Sequence, residues 1–330
     1  MHISVSFPNH PPSIDSLIIE KKLSEGNFEV YQVSSPTLKT KYALKVFPNN
    51  DFCSEQYTKE KLSLSLNHPN IIQSIPVTCH HKEFNIHLTE LARHGDFVEI
   101  VNSGVLYRNN VLIRTYFKQL IEGLEHIHSQ GVAHLDLKLE NLMMGSDFML
   151  KIIDFDHAQL ITDSKITSRG TEVYRAPEVL DGSCEDLSAA DIYSAGVILY
   201  TLKAGEYPFI EVQDEEGRAK RFCGGFDKDN GRFWRKKAEA KGDSEFFSEE
   251  FKELINGMLA KDPKKRFTMM DVKNSKWFND RVLKKQTLKI SMKASLAQRV
   301  IDEWNTQHQE WKEEFNRELE GSKAVKVCCI

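Results

Sequence analysis

His134-Leu135-Asp136-Leu137-Lys138-Leu139-Glu140-Asn141 places an acid, a lysine and an asparagine on one short loop between apolar segments. A second acidic cluster, Asp154-Phe155-Asp156, follows the apolar-rich run Met149-Leu150-Lys151-Ile152-Ile153. These residue types divide the work that phosphoryl transfer demands. A carboxylate such as Asp136 can orient an attacking hydroxyl and take its proton, while an amine such as Lys138 balances charge on the moving phosphoryl group. Asn141 and Asp154 offer the hard oxygen ligands that magnesium takes. Taken alone, an Asp-Lys-Asn trio is an ordinary solvated loop, so the reading depends on the ordered motifs around it.

Gly170-Thr171-Glu172-Val173-Tyr174-Arg175-Ala176-Pro177-Glu178 closes the segment that Asp154 opens. In order, H-x-D-L-K-x-x-N, D-F-x and A-P-E resemble the eukaryotic protein kinase family, serine/threonine type. The resemblance covers residues 17–278 and implies an α+β, two-lobed fold. A small, mainly β lobe with its hinge would occupy 17–92, and a large, mainly α lobe 93–278. Residues 1–16, with Pro8, Pro11 and Pro12, would form an irregular N-terminal extension, and 279–330 a helical C-terminal one. The implied activity moves the γ-phosphoryl of ATP to serine or threonine hydroxyls of protein substrates, with ATP and Mg2+ as cofactors.

Towards the N-terminus, Leu17-Ile18-Ile19, Phe28 to Val33 and Tyr42 to Phe47 read as short antiparallel strands joined by turns. By resemblance, Leu23, Gly26 and Tyr31 belong to the family's glycine-rich loop. Gly26 alone survives of its three glycines, with Ser24 and Glu29 at the other two positions. Glycine allows close backbone approach to phosphates, and a carboxylate repels them, so weaker nucleotide gripping is expected. Lys45, in Ala43-Leu44-Lys45, would pair with the α- and β-phosphates. Glu60 is its expected helical partner, since Leu64 follows four residues later on the same face. The interval from Glu60 to His68 is one residue short, and Glu55 is the less favoured substitute. Thr89 would guard the rear of the adenine pocket, Glu90 and Ala92 would offer backbone groups to adenine, and Met143 would form its floor. Asp96 would contact ribose and a basic substrate side chain, or simply cap a helix.

Val111 to Gln130 carries Leu112, Phe117, Leu120, Ile121, Leu124 and Ile127 at helical spacing, a core stripe that delivers the chain to His134. His134 is read as structural. Most phosphorylation-activated relatives place Arg at position 135; Leu135 has no donor for an activation-loop phosphate. His-Leu-Asp-Leu-Lys is similar to the form in some calmodulin-regulated kinases. Catalysis independent of activation-loop phosphate is therefore expected. Glu140 with Asp96 suggests basic residues upstream of the phosphoacceptor, although Thr201 stands where strongly basophilic relatives carry an acid. Asp156 replaces the third-position glycine of the metal-binding motif. It would either restrict that segment or add negative charge near the metal. Glu178 is expected to pair with Arg266, and Asp191 to brace the catalytic-loop backbone. The competing reading, motivated by Ser24, Glu29 and Asp156, is a pseudokinase scaffold or nucleotide-sensing module.

A net charge of −4 gives no reason to expect nucleic-acid binding. Six cysteines without metal-site spacing point to a reducing compartment, cytoplasmic or nuclear. No apolar stretch is long enough to span a bilayer. Asp227 to Gly231 has its glycine one place early for a calcium loop and lacks the terminal acid, so calcium is rejected. Lysines 284, 285, 289 and 293 alternate with Leu283, Leu288, Ile290, Met292 and Leu296 in a basic amphipathic pattern. Such a helix packs on its own domain, acts as an autoinhibitory segment or binds calmodulin. Val300, Trp304, Trp311, Phe315 and Leu319 continue as an apolar stripe for packing or dimerisation. The terminal Val327-Cys328-Cys329-Ile330 does not match a prenylation signal, leaving lipidation of Cys328 and Cys329 by another route as a weak route to a membrane.

Overall fold

A computed structural model describes residues 2–6, 14–25, 28–36, 39–79, 81–163, 166, 170–208, 210–213, 219–222 and 230–298. The chain begins with four strands, β1 (His2–Ser6), β2 (Ile14–Glu25), β3 (Glu29–Ser35) and β4 (Thr40–Pro48). Helix α1 (Asp51–Glu60) runs directly into a 3-10 helix over Lys61–Ser65, and β5 (Ser74–Ile75) and β6 (Phe84–Glu90) follow. The strands form one six-stranded sheet in the order β1-β2-β3-β4-β6-β5, antiparallel throughout. Alternation on β4 explains its two faces. Tyr42 and Leu44 turn into a core with Leu17, Val33, Ile86 and Leu88, while Lys45 turns towards α1.

Residues 1–16 are not wholly an irregular lead-in: His2–Ser6 pairs with β2 in the register His2↔Ile18 to Ser6↔Ile14. The signal was the alternation of Ile3 and Val5, a two-residue period that the prolines beyond it obscured.

The large lobe starts with α2 (Phe97–Asn102) and α3 (Asn110–Ser129), whose stripe is buried as its spacing requires. Short β ribbons then carry the chemistry-bearing loops: β7 (Val132–Ala133) pairs with β10 (Gln159–Leu160), and β8 (Leu142–Met144) with β9 (Leu150–Ile152). Helix α4 (Pro177–Asp181) leads into α5 (Leu187–Ala204), which is buried on nearly every face. Asp186 caps α5 at its start, and Gly205 ends it at φ 70°, a left-handed conformation that glycine adopts without strain. A ribbon of β11 (Ile210–Gln213) and β12 (Ala219–Phe222) follows, then α6 (Asn230–Ala240), α7 (Glu249–Met258), α8 (Met269–Asn274) and α9 (Lys276–Asn279). Sheet-rich and helix-rich lobes make this the two-lobed kinase fold.

A second unit begins at Lys284, and within it residues 285–298 are helical. The apolar stripe from Val300, the cysteine pair and Gly26 lie outside the described residues. No described helix is long and apolar enough to cross a membrane.

Candidate active site

Asp191, wholly buried on α5, builds the loop that leaves β7. Its two oxygens accept the backbone N–H groups of His134 and Leu135, each at 2.8 Å, and His128 Nε2 stands 2.9 Å from Oδ2. These bonds hold Leu135 at φ 61°, a left-handed conformation that costs a β-carbon residue about 1–2 kcal/mol. His134 Nε2 donates to the Ile153 carbonyl at 3.0 Å, while Nδ1 accepts the Asp136 N–H at 3.3 Å. That pattern requires a neutral imidazole, whose ring lies 4.9 Å from that of Phe155. The structural reading of His134 therefore agrees with its contacts.

Asp136 is fixed at both oxygens. Oδ1 accepts the Thr171 N–H at 2.6 Å; Oδ2 accepts from Lys138 Nζ at 2.7 Å and Asn141 Nδ2 at 3.1 Å. Lys138 Nζ also donates to Thr171 Oγ1 at 2.9 Å. With its amide nitrogen also bonded to the Asp136 carbonyl at 2.9 Å, Asn141 has its amide oxygen, the atom magnesium would take, directed away from Asp136. A β-carbon on Gly170 would stand 2.6 Å from Asp136 Oδ1, so the closing segment reaches this loop only through glycine.

Across the cleft, Lys45 Nζ donates to Glu60 Oε2 at 2.9 Å, to Asp156 Oδ2 at 2.9 Å and to Asp154. Burial disfavours the ammonium, but the three carboxylates outweigh it and hold the amine well above the ordinary lysine range. Burial raises Glu60, partly offset by Lys45. Asp154 is held low against burial, chiefly by the Lys45 charge. Asp156 is pushed up to about 6 by burial and then by the charge of Asp154.

A profile of the protein kinase domain matches residues 17–278. The chain belongs to the protein kinase domain family. The CBL-interacting serine/threonine-protein kinase 16 of Arabidopsis thaliana is 30% identical over 287 residues, spanning 80% of this chain and 57% of that protein. CBL-interacting protein kinase 11 of Oryza sativa subsp. japonica is 32% identical over 277 residues, 79% of this chain and 51% of that protein. Serine/threonine-protein kinase SRK2C of Arabidopsis thaliana is 33% identical over 269 residues, 79% of this chain and 74% of that protein. The similarity is thus to eukaryotic protein kinases of serine/threonine type. This kinase chain spans about half the length of the CBL-interacting relatives it matches.

The other residues singled out in the sequence are distributed over the sheet and the segments that leave it. Ala43 and Ser74 are both cross-strand partners of Thr89. Glu90 Oε1 accepts from Lys151 Nζ at 2.7 Å and from the Gln73 N–H at 3.0 Å, so its side chain ties the hinge to β9. Met143 is brought opposite Asp96 by an isolated bridge, and Ala92 lies on the segment between β6 and α2. Asp96 is the N-cap of α2, accepting the Glu99 N–H at 2.9 Å, so the capping alternative describes its bonding. Leu23 is an exposed residue at the register shift between Lys22 and Ser24 on β2, and Tyr31 pairs with Lys22 and Leu44. Glu29 is not a bare repulsive carboxylate: Lys22 Nζ meets it at 2.6 Å and Tyr31 Oη at 2.8 Å, lowering its pKa. Thr201 donates back to Val197 O at 2.9 Å within α5, while Glu140 is exposed. Glu178 and Arg266 form a buried pair with an Nη2–Oε2 distance of 2.9 Å, anchoring the closing segment to the large lobe.

Sequence reasoning did not identify the contact from Asp156 to Lys45. Nor did it single out Ser63, Ser74 or His87 behind Glu60. A histidine and a serine interrupting otherwise apolar strands were the available signals.

Proposed function

We propose that the chain transfers the γ-phosphoryl of ATP to serine or threonine hydroxyls of protein substrates. The supporting observation is that Lys45 reaches Glu60 while Asp136 is simultaneously fixed by Lys138, Asn141 and Thr171. In this reading these two sets of contacts are the two halves of the phosphoryl-transfer machinery.

Asp136 Oδ2 orients the acceptor hydroxyl and takes its proton; Lys138 offsets charge on the transferred group. Lys45, oriented by Glu60, meets the α- and β-phosphates. Asn141 and Asp154 would hold magnesium, and their amide and carboxylate oxygens fit its preference for hard ligands. That ion neutralises charge on the phosphate oxygens when bound. Ala43, Leu23 and Met143 enclose adenine, with Thr89 at the rear and the Glu90 and Ala92 backbone at the edge. By the motif alone, Tyr31 and Gly26 are assigned to the loop over the phosphates and Asp96 to the ribose.

The absence of a donor on Leu135 supports activity without an activation-loop phosphate. Glu140, exposed beside the catalytic loop, supports a preference for basic residues upstream of the acceptor. The basic helix of the C-terminal extension is a protein-binding segment in this reading. The names of the CBL-interacting relatives suggest a CBL protein as its ligand, with calmodulin or the chain's own substrate groove as the alternatives.

The decisive assay is magnesium-dependent phosphorylation of basic serine/threonine peptide libraries, with Asp136→Asn as control. Phosphate on serine or threonine that vanishes in the variant supports transfer. Retained ATP binding with silent libraries favours the pseudokinase reading, for which Asp156 on Lys45 is the specific observation.

A further inference from the structure

Helix α1 changes character at its functional residue. It is α-helical to Glu60 and 3-10 from Lys61 to Ser65. Five residues rise about 10 Å in a 3-10 helix against about 7.5 Å in an α-helix. The 3-10 turn therefore carries the chain further per residue beyond Glu60 than an α-helix would. A 3-10 stretch has poorer hydrogen-bond geometry than the helix it interrupts, so something must hold it.

Three buried polar side chains converge there: Ser63, Ser74 and His87, each at most 4% exposed. Ser63 Oγ donates to the Glu60 carbonyl at 2.6 Å and lies 2.8 Å from Ser74 Oγ. Ser74 Oγ lies 3.1 Å from His87 Nε2, which is also 3.8 Å from Glu60 Oε1. One arrangement employs every donor. His87 Nε2–H donates to Ser74, the Ser74 hydroxyl to Ser63, and the Ser63 hydroxyl to Glu60. Burial and then Lys45 hold His87 neutral, with its pKa down at about 4, and the chain uses the neutral tautomer that carries its proton on Nε2. His87 is also the cross-strand partner of Lys45 and shares a sheet face with Thr89. The relay thus ties β5 and β6 to the end of α1.

We propose that Ser63, Ser74 and His87 form a hydrogen-bonded positioning device that fixes Glu60, and through it Lys45, in the paired state before nucleotide arrives. Polar side chains perform a task that apolar packing alone would leave less directional. None of the three touches substrate; each acts through Glu60. The inference rests on the kinase reading only for its kinetic consequence.

The test uses the full chain with His87→Leu, the double variant Ser63→Ala/Ser74→Ala, and His87→Gln. Expected for the first two is faster amide exchange over Asp51–Ser65, with exchange in α5 unchanged. Their kcat/KM for ATP should fall about ten-fold, equivalent to about 1.4 kcal/mol. His87→Gln, which can still donate to Ser74, should recover most of both. In a Glu60→Gln background the double variant should add almost nothing, because the effect runs through Glu60. A merely structural cluster would instead speed exchange in α5 as well and give additive losses. The double variant removes two hydroxyls without disturbing carbon packing, so it carries the test if His87→Leu fails to fold. Unchanged exchange over Asp51–Ser65 in the double variant overturns the proposal. Exchange is read without catalysis, so a chain that transfers no phosphate rejects the kinase reading and leaves this inference standing or falling on its own.

Discussion

Lys45 Nζ lies 2.9 Å from Asp156 Oδ2, a third carboxylate on an ammonium that also meets Glu60 and Asp154. One ammonium therefore serves Glu60, Asp154 and Asp156 together, and an incoming triphosphate must compete for it.

Removing the third acid should ease that competition. Asp156→Asn is expected to tighten metal-free ATP binding by up to about ten-fold, the size of one charge-assisted hydrogen bond of about 1.4 kcal/mol. Calorimetric titration with and without magnesium checks this. Equal metal-free affinity for both proteins would show that Asp156 does not compete.

Asp191 is expected to be intolerant of neutral replacement. Asp191→Asn turns one of its two N–H acceptors into a donor against the His134–Leu135 backbone. The expected loss is about 2–4 kcal/mol of stability, with activity falling as Leu135 relaxes from its left-handed conformation. Urea denaturation alongside kinetics measures both.

His87 should make stability fall in mild acid. Its folded pKa of about 4 lies below an unfolded value of 6.5. Above pH 6.5 neither state binds the proton and the full stability is present. Between pH 6.5 and 4 the unfolded chain alone takes it up, so stability drops, by up to about 3 kcal/mol for this group. His87→Gln should flatten that part of the pH profile relative to wild type. Parallel profiles would refute the assignment.

Lys203 is a buried amine whose Nζ stands 4.0 Å from the Phe246 ring centroid, and burial lowers its pKa to about 8. Lys203→Met keeps the length of the side chain and removes the buried charge. It should stabilise the fold at pH 7 by about 1–2 kcal/mol. Because the folded amine releases its proton first, wild-type stability should rise between pH 8 and 10.5, and the variant should lack that rise. Thermal melting across this range tests both expectations.

Much of this protein was legible in its sequence. Tyr42-Ala43-Leu44-Lys45 alternates between core and cleft because side chains on a strand alternate faces. The α3 stripe is equally local, set by 3.6 residues per turn. Asp136, Lys138, Asn141 and Asp154 could be singled out because their chemistry depends on residue type within short intervals. Tertiary structure decided the contacts between residues far apart in the chain. Lys45 and Asp156 are separated by 111 positions, and nothing local announces that they meet. The change from α-helix to 3-10 helix after Glu60 and the ion pair of Glu29 with Lys22 likewise appear only in the fold. Local periodicity follows from backbone geometry, whereas charge pairing and buried hydrogen bonds depend on which surfaces packing brings within a few ångströms.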